Sequence, residues 1–154
     1  MKHEMLRRFL VILLLAVWFG GFTFYAEIVI PSGHKVLHSH LRVGLITQEV
    51  TRWLNLIGIV ALAIFAWNVA ALRNSEDKKR WRVLRGSWGT MVLMQIALFA
   101  LHPVLDSQIV ERGLSVETTF YNLHRIYLIV ATVQWLATLV YVWVSLKLWK
   151  ESDK

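Results

Sequence analysis

The chain has 154 residues, a formal net charge of +7, no cysteine and a composition that is 56% hydrophobic. Its mean hydropathy of +0.51 is too high for an ordinary soluble protein. The lack of cysteine excludes disulfides, thiolate metal sites, iron–sulfur clusters and a cysteine nucleophile. The 17 lysines and arginines stand in short blocks between apolar runs. That distribution is typical of membrane proteins, and it argues against nucleic acid as a partner.

Four apolar segments are long enough to cross a lipid bilayer, which makes the bilayer the first predicted partner. They cover residues 9–30, 53–72, 86–105 and 126–146. A helix needs about 20 residues to cross a hydrocarbon core of ~30 Å, and a helix satisfies its own backbone hydrogen bonds in lipid. The sequence therefore predicts an all-α integral membrane protein. We expect one domain, residues 1–154, built as a four-helix antiparallel bundle.

The positions of lysine and arginine predict the direction of the helices. Twelve of these cations precede the first segment, follow the fourth, or lie between the second and third, and five lie on the opposite side. The positive-inside rule then places both termini in the cytoplasm, and we expect a bacterial inner membrane. Residues 31–52 and 106–120 become the outer connections. The apolar-basic pattern of 31–52 suggests a segment along the membrane surface, and Asn74 or Ser75 is expected to cap a helix on the inner side.

Each predicted span carries a stripe of polar or small residues at helical spacing. The stripes are Gly20, Thr23, Glu27, Ile30 and His34; Gln48, Thr51, Asn55 and Gly58; Trp88, Gln95, His102 and Asp106; and His124, Tyr127, Ala131, Gln134, Thr138, Tyr141 and Ser145. Polar groups avoid lipid, so we expect the four stripes to face one another. Their most polar residues then form a chamber near the outer surface, with walls that contain Glu27, His34, Asn55, Gln95, His102, Asp106 and His124.

The polar residues of this chamber allow a structural and a functional interpretation. Asn55, Gln95, Gln134 and Thr138 fit a role as interhelical hydrogen-bonding groups. Glu27 is an expensive group within a membrane. It fits equally a salt bridge, to Arg125 or Arg52, and a functional carboxylate.

Histidines at the outer ends of the spans are candidate metal ligands. His102 and His124 are the strongest, because imidazole is a common ligand of copper, zinc and haem iron. Asp106, one turn from His102, could orient its ring, as carboxylates next to metal sites do. Glu27 and His34 complete the candidate metal set, and copper or haem is the candidate cofactor. The alternative for all five is a hydrogen-bonded structural role.

Several sequence motifs carry a family resemblance. The segments WFGGFTFY and IVIP, VTRWLNLIG, LHPVLD and FYNLHRIY resemble the DUF4149 or TMEM205-like group of small four-span membrane proteins. They also suggest a looser likeness to the CopD-type superfamily, which includes copper-resistance proteins and a haem-associated oxidase. The resemblance implies a four-helix membrane fold without a settled activity. The wider likeness would imply copper or haem at His102 and His124.

The sequence lacks the common catalytic motifs, and this favours a non-enzymatic function. The sequence has no HExxH, no phosphate-binding glycine loop and no GxSxG, so nothing points to hydrolysis or phosphoryl transfer. We predict a non-enzymatic accessory subunit whose partners are the subunits of a larger membrane complex. The alternatives are a copper- or haem-binding protein acting at the outer leaflet and a small carrier that uses Glu27.

Overall fold

Four long helices make up the described part of the chain. The computed structural model describes residues 2–111 and 118–153, without the side chains of 106, 108–111 and 118–121. Within that part of the chain there is no strand, and the helices are α1 (Lys2–Leu37), α2 (His40–Ala71), α3 (Lys78–Glu111) and α4 (Thr118–Ser152). All four contain a segment long and apolar enough to cross a membrane. The predicted all-α four-helix architecture is confirmed.

The helices are longer than the predicted spans. Each predicted span lies inside one helix, except that Leu72 follows the last residue of α2. At ~1.5 Å per residue the helices are about 50 Å long, whereas a hydrocarbon core is only ~30 Å thick. The predicted outer connection 31–52 is almost entirely helical, and the position of its segment 36–46 along the membrane surface stays a prediction. Its residues continue α1 and begin α2, and only His38 and Ser39 separate the two helices.

Two π-helical turns interrupt α1, and the second lets the helix continue through a proline. They cover Leu15–Gly20 and Tyr25–Val29, and the second ends two residues before Pro31. Proline lacks an N–H and its ring crowds the carbonyl four residues earlier. A π turn, with its wider spacing of hydrogen bonds, relieves that conflict. α1 ends at Leu37, and the next residue, His38, has a left-handed conformation (φ 45°). The Ser39 hydroxyl then accepts a hydrogen bond from the Arg42 N–H and caps α2.

Ion pairs bring the two ends of the chain together. The two terminal nitrogens of the Arg8 guanidinium, Nη1 and Nη2, each donate to a carboxylate oxygen of Asp153 over 2.8 Å. Arg80, at the start of α3, pairs with Glu151. α1 and α4 are therefore antiparallel neighbours, and we call the end of the bundle that contains these pairs the basic end. The short α2–α3 connection lies here too. Asp77 caps α3 by accepting from the Arg80 N–H over 2.8 Å, so the predicted caps Asn74 and Ser75 are wrong.

Tryptophan side chains join neighbouring helices. The indole N–H groups of Trp81 and Trp88 on α3 donate to the Val69 and Leu62 carbonyls of α2, both over 3.0 Å. Trp135 on α4 donates to the Thr23 hydroxyl of α1. These pairs fix α2 against α3 and α1 against α4 in antiparallel order. A buried tryptophan needs a partner for its N–H group, and here that partner lies on an adjacent helix.

Candidate functional site

Five of the six histidines lie at the end of the bundle opposite the basic end, which we call the histidine end. His102 is half-buried on α3, and its Nε2 lies 3.3 Å from the Gln48 carbonyl oxygen of α2. His124 is half-buried on α4. The rings of His34 and His40 lie 4.9 Å apart at the turn between α1 and α2. Histidine is therefore used on all four helices at this end, but in different settings.

The predicted chamber does not include Glu27 and His34. Both side chains are exposed on the outside of α1, and none of the ion pairs among the described residues involves Glu27. The predicted salt bridge to Arg52 or Arg125 is absent from that set, and Arg52 instead lies 3.9 Å from Glu49. An exposed position places the Glu27 carboxylate outside the interior of the bundle. It also removes the observation that suggested a carrier.

The candidate metal ligands form no cluster in the described part of the chain. There, no group of three or more histidine, aspartate or glutamate side chains is placed to hold a metal ion. The Asp106 side chain lies outside the described residues, so its predicted role beside His102 stays a prediction. Copper or haem binding at His102 and His124 also stays a prediction.

The first helix buries a different face from the predicted one. Trp18 and Tyr25 are both at least 93% buried, whereas Glu27 is exposed. Thr23 does face α4, as its bond from Trp135 shows, but the stripe does not continue to Glu27. Large aromatic rings make more van der Waals contacts in the interior than the small and polar stripe would, and packing of this kind holds membrane helices together. The two π turns also change the phase of α1 relative to a regular α-helix.

An amide network joins three helices in the middle of the bundle. Gln95 on α3 donates to the Asn55 side-chain oxygen of α2 over 3.0 Å, and Gln134 on α4 donates to the Gln95 oxygen over 2.9 Å. Gln134 also reaches the Met91 carbonyl. All three amide side chains are buried. The sequence prediction that these stripes face one another and supply interhelical hydrogen bonds is confirmed for these residues.

α2 approaches α1 and α3 closely at Gly58, next to this network. A Cβ atom on Gly58 would lie 2.7 Å from Gln95 Oε1 and 2.8 Å from the Trp18 indole nitrogen. Glycine is therefore required for α2 to approach both α1 and α3 at this level. A cavity of about 30 Å³ lies beside the network, between Trp18, Asn55 and Gln134. That volume suits a single water molecule rather than an organic substrate.

A second polar cluster lies closer to the basic end. Asn68 on α2 donates to the Tyr141 hydroxyl over 3.0 Å and to the Ser145 hydroxyl over 3.2 Å. Its oxygen accepts the Trp149 indole N–H over 3.1 Å, and Tyr141 donates to the Phe65 carbonyl. Asn68 and Ser145 are at least 99% buried, and Tyr141 is fully buried. The Asn68 amide thus makes three bonds to α4, and the cluster ties two helices across the core.

A wide cleft opens at the basic end beside this cluster. It has a volume of about 1090 Å³ and lies between the start of α1, the α2–α3 connection and the end of α4. Arg7 lines it with a residue exposure of only 7%, and its Nε has no hydrogen-bond partner among the described residues. Membrane helices rarely bury an arginine. The cleft is therefore a large cavity that adjoins a buried charge.

An exposed face of α3 carries glycines that the fold does not use. Gly86 and Gly89 are exposed, and a Cβ atom on either would meet no atom within 4 Å. The same face continues through Leu93 and Ile96, which are 61% and 62% exposed. We call Gly86, Gly89, Leu93 and Ile96 the glycine face. Small residues on a membrane helix allow another helix to approach closely.

Comparison with known proteins adds no family to these observations. No family model matches the chain, and no curated protein and no solved structure matches it. The resemblance to the DUF4149 or TMEM205-like group, and to the CopD-type superfamily, therefore stays a prediction.

Sequence reasoning missed three residues of these sites. Asn68 continues the stripe of Asn55 and Gly58 along α2, so extending that pattern to the end of the helix would have found it. Arg7 is one of the cations that predict the direction of the helices, and nothing in its sequence context distinguishes it from its neighbour Arg8. Trp18 lies outside the stripe of Gly20, Thr23 and Glu27 that the sequence pattern predicts to face the core.

Proposed function

We propose that the protein is a non-enzymatic accessory subunit, whose glycine face binds a transmembrane helix of a different protein in a larger membrane complex. The observation that carries the proposal is the exposed pair Gly86 and Gly89. A glycine within a helix costs about 0.5–1 kcal/mol relative to alanine. Neither glycine relieves a clash inside the bundle, and a close contact with another helix would account for both.

The interior of the bundle supports a structural role. The buried polar groups of the amide network and of the Asn68 cluster are uncharged, and they bond to one another. Uncharged amides and hydroxyls of this kind join membrane helices. Catalytic sites, by contrast, usually concentrate titratable groups in a pocket. The described interior between these two clusters offers amides and hydroxyls rather than acids and bases.

Charge at the edge of the glycine face indicates what kind of helix it fits. Arg82 and Arg85 are exposed on the same helix, next to Gly86 on the basic side. Two copies of this chain inserted in the same direction and packed through this face would bring these cations together, and like charges repel. We therefore assign the face to a different membrane protein with acidic residues at that level, rather than to a second copy.

Co-purification from native membranes tests the proposal. The variants Gly86→Leu and Gly89→Leu each place a bulky side chain on the glycine face, at exposed positions where a Cβ atom meets no atom within 4 Å. We expect the tagged wild-type chain to retain a partner in mild detergent and both variants to lose it. Ala63→Leu, which enlarges an exposed residue of α2, is the matched control and should retain the partner.

Two results would contradict this function. One is isolation of the wild-type chain as a lone monomer under conditions that preserve membrane complexes. The other is retention of the same partner by Gly86→Leu, Gly89→Leu and the double variant. A self-associated wild-type chain would assign the glycine face to a second copy and overturn the proposed occupant.

A further inference from the structure

Arg7 is a buried cation with an incomplete set of partners. Its nearest carboxylate is Glu4, with 3.6 Å between Arg7 Nη2 and Glu4 Oε1. The same Glu4 oxygen lies only 2.9 Å from Arg8, which also pairs with Asp153. Glu4 is thus shared and sits closer to Arg8. Arg7 Nε remains buried without a hydrogen-bond partner among the described residues, and an unsatisfied buried donor on a charged group is costly.

The cleft beside Arg7 has both polar and apolar walls. Asn74 and Ser75 of the α2–α3 connection contribute an amide and a hydroxyl. Trp67, Leu72 and Leu148 contribute an apolar wall that continues toward the membrane-spanning part of the bundle. A volume of about 1090 Å³ is ample for a charged headgroup.

Three of the four carboxylates that line the cleft have a cationic partner. Asp77 lies 3.3 Å from Arg80, and Glu151 pairs with the same Arg80, so these two carboxylates share one positive charge. Glu4 is shared between Arg7 and Arg8. Glu76 is exposed and has no ion pair among those of the described chain. Arg7 therefore keeps an attraction for an anion, which Glu76 and the second carboxylate on Arg80 oppose.

We propose that this cleft binds a phosphate-bearing anion, with Arg7 as the principal ligand and Asn74 and Ser75 as additional hydrogen-bond donors. The planar guanidinium of arginine matches the oxygen spacing of phosphate. A phosphate has enough acceptor oxygens to reach the donors of all three side chains. The phosphate can come from an anionic lipid headgroup, whose chains would follow the apolar wall, or from a soluble phosphate compound.

Two probes distinguish these sources on the full-length chain purified in detergent. The first is native mass spectrometry during titration with phosphatidylglycerol, with a diacylglycerol of the same chains as the phosphate-free control. The second is calorimetric titration with inorganic phosphate. We expect saturable binding of phosphatidylglycerol and not of the diacylglycerol. Saturable binding of inorganic phosphate as well would assign the site to soluble phosphates, and its absence would assign it to lipid.

Three variants test the assigned residues. Arg7→Gln should weaken binding about tenfold or more, because it removes a charge-assisted contact. Asn74→Ala and Glu76→Gln change exposed side chains of the α2–α3 connection, so they test the site even if Arg7→Gln fails to fold. The first should weaken binding and the second should strengthen it, since it removes the opposing carboxylate.

The proposal is overturned by any of three results. They are wild-type protein that binds neither probe above the diacylglycerol control, a folded Arg7→Gln variant with wild-type affinity, and unchanged affinity in both Asn74→Ala and Glu76→Gln. These tests are independent of the glycine face, whose four residues are exposed on α3 and do not line the cleft.

Discussion

Asn68 on α2 and Tyr141 on α4 meet in the core, where the Asn68 amide donates a 3.0 Å hydrogen bond to the Tyr141 hydroxyl. The same amide reaches Ser145 and accepts from Trp149, so one side chain of α2 is bonded to three residues of α4. Its residue exposure is 0%. In lipid the hydrophobic effect does little to hold helices together, so hydrogen bonds of this kind and close packing define which faces meet.

Replacing Asn68 should destabilise the bundle more than replacing other polar residues of the spans. Asn68→Leu leaves the Trp149 N–H, the Tyr141 hydroxyl and the Ser145 hydroxyl with fewer partners. We expect a loss of roughly 1–3 kcal/mol, seen as a lower Tm in detergent by circular dichroism. Thr132→Ala removes a hydroxyl that bonds only within α4 on an exposed face, and it should change Tm little. Equal Tm values for the two variants would show that the cluster is not structural.

Replacement by alanine should lower the stability of the protein at Gly58 and raise it at Gly89. At Gly58 the new methyl group would meet Gln95 Oε1 at 2.7 Å and Trp18 at 2.8 Å. Overpacking of this kind costs about 1–3 kcal/mol. At Gly89 the methyl group meets nothing within 4 Å, and the gain in helix propensity stabilises by up to about 1 kcal/mol. Thermal unfolding of the two purified variants measures the contrast, and a stable Gly58→Ala variant would contradict the close approach.

The Arg8–Asp153 pair predicts a dependence of stability on pH. The Arg8 guanidinium holds the pKa of the Asp153 carboxyl below its ordinary value of 3.8. A carboxyl with a lowered folded-state pKa stabilises the fold fully above its ordinary pKa, and that stabilisation disappears as pH falls through the lowered value. The Tm difference between wild type and Asp153→Asn should therefore be constant above about pH 5 and vanish in stronger acid. The pair is exposed, so we expect a small difference that added salt reduces. A Tm difference between wild type and Asp153→Asn that grows as the pH falls would contradict a stabilising Arg8–Asp153 pair.

The placement of the histidines predicts the metal content of the protein. Glu27 and His34 lie on the outside of α1, away from the interior side of the bundle. We therefore expect less than one copper, iron or zinc ion per chain in protein purified without added metal or chelator, as measured by elemental analysis. One copper or one haem iron per chain, lost in both His102→Ala and His124→Ala, would instead establish the alternative of a metal-binding protein.

The sequence predicts the helices and much of the interior, because both follow from local chemistry. Apolar length decides the spans, and the 3.6-residue period places Asn55, Gln95 and Gln134 on facing sides. The exterior position of Glu27 follows from the π turns and from the competition of Trp18 for the core. Neither is visible in a regular helical pattern. The burial of Arg7 depends on how α1 meets α2 and α4, and that is a property of the assembled bundle.

The most direct test of the accessory-subunit function is site-specific photo-crosslinking in native membranes. A photoreactive amino acid replaces Leu93 on the glycine face or, as the control, Ile59, which is 48% exposed on α2. We predict that the probe at residue 93 gives an adduct with a different membrane protein and that the probe at residue 59 does not. Crosslinking of residue 93 only to lipid, or only to a second copy of the chain, would contradict the proposed function.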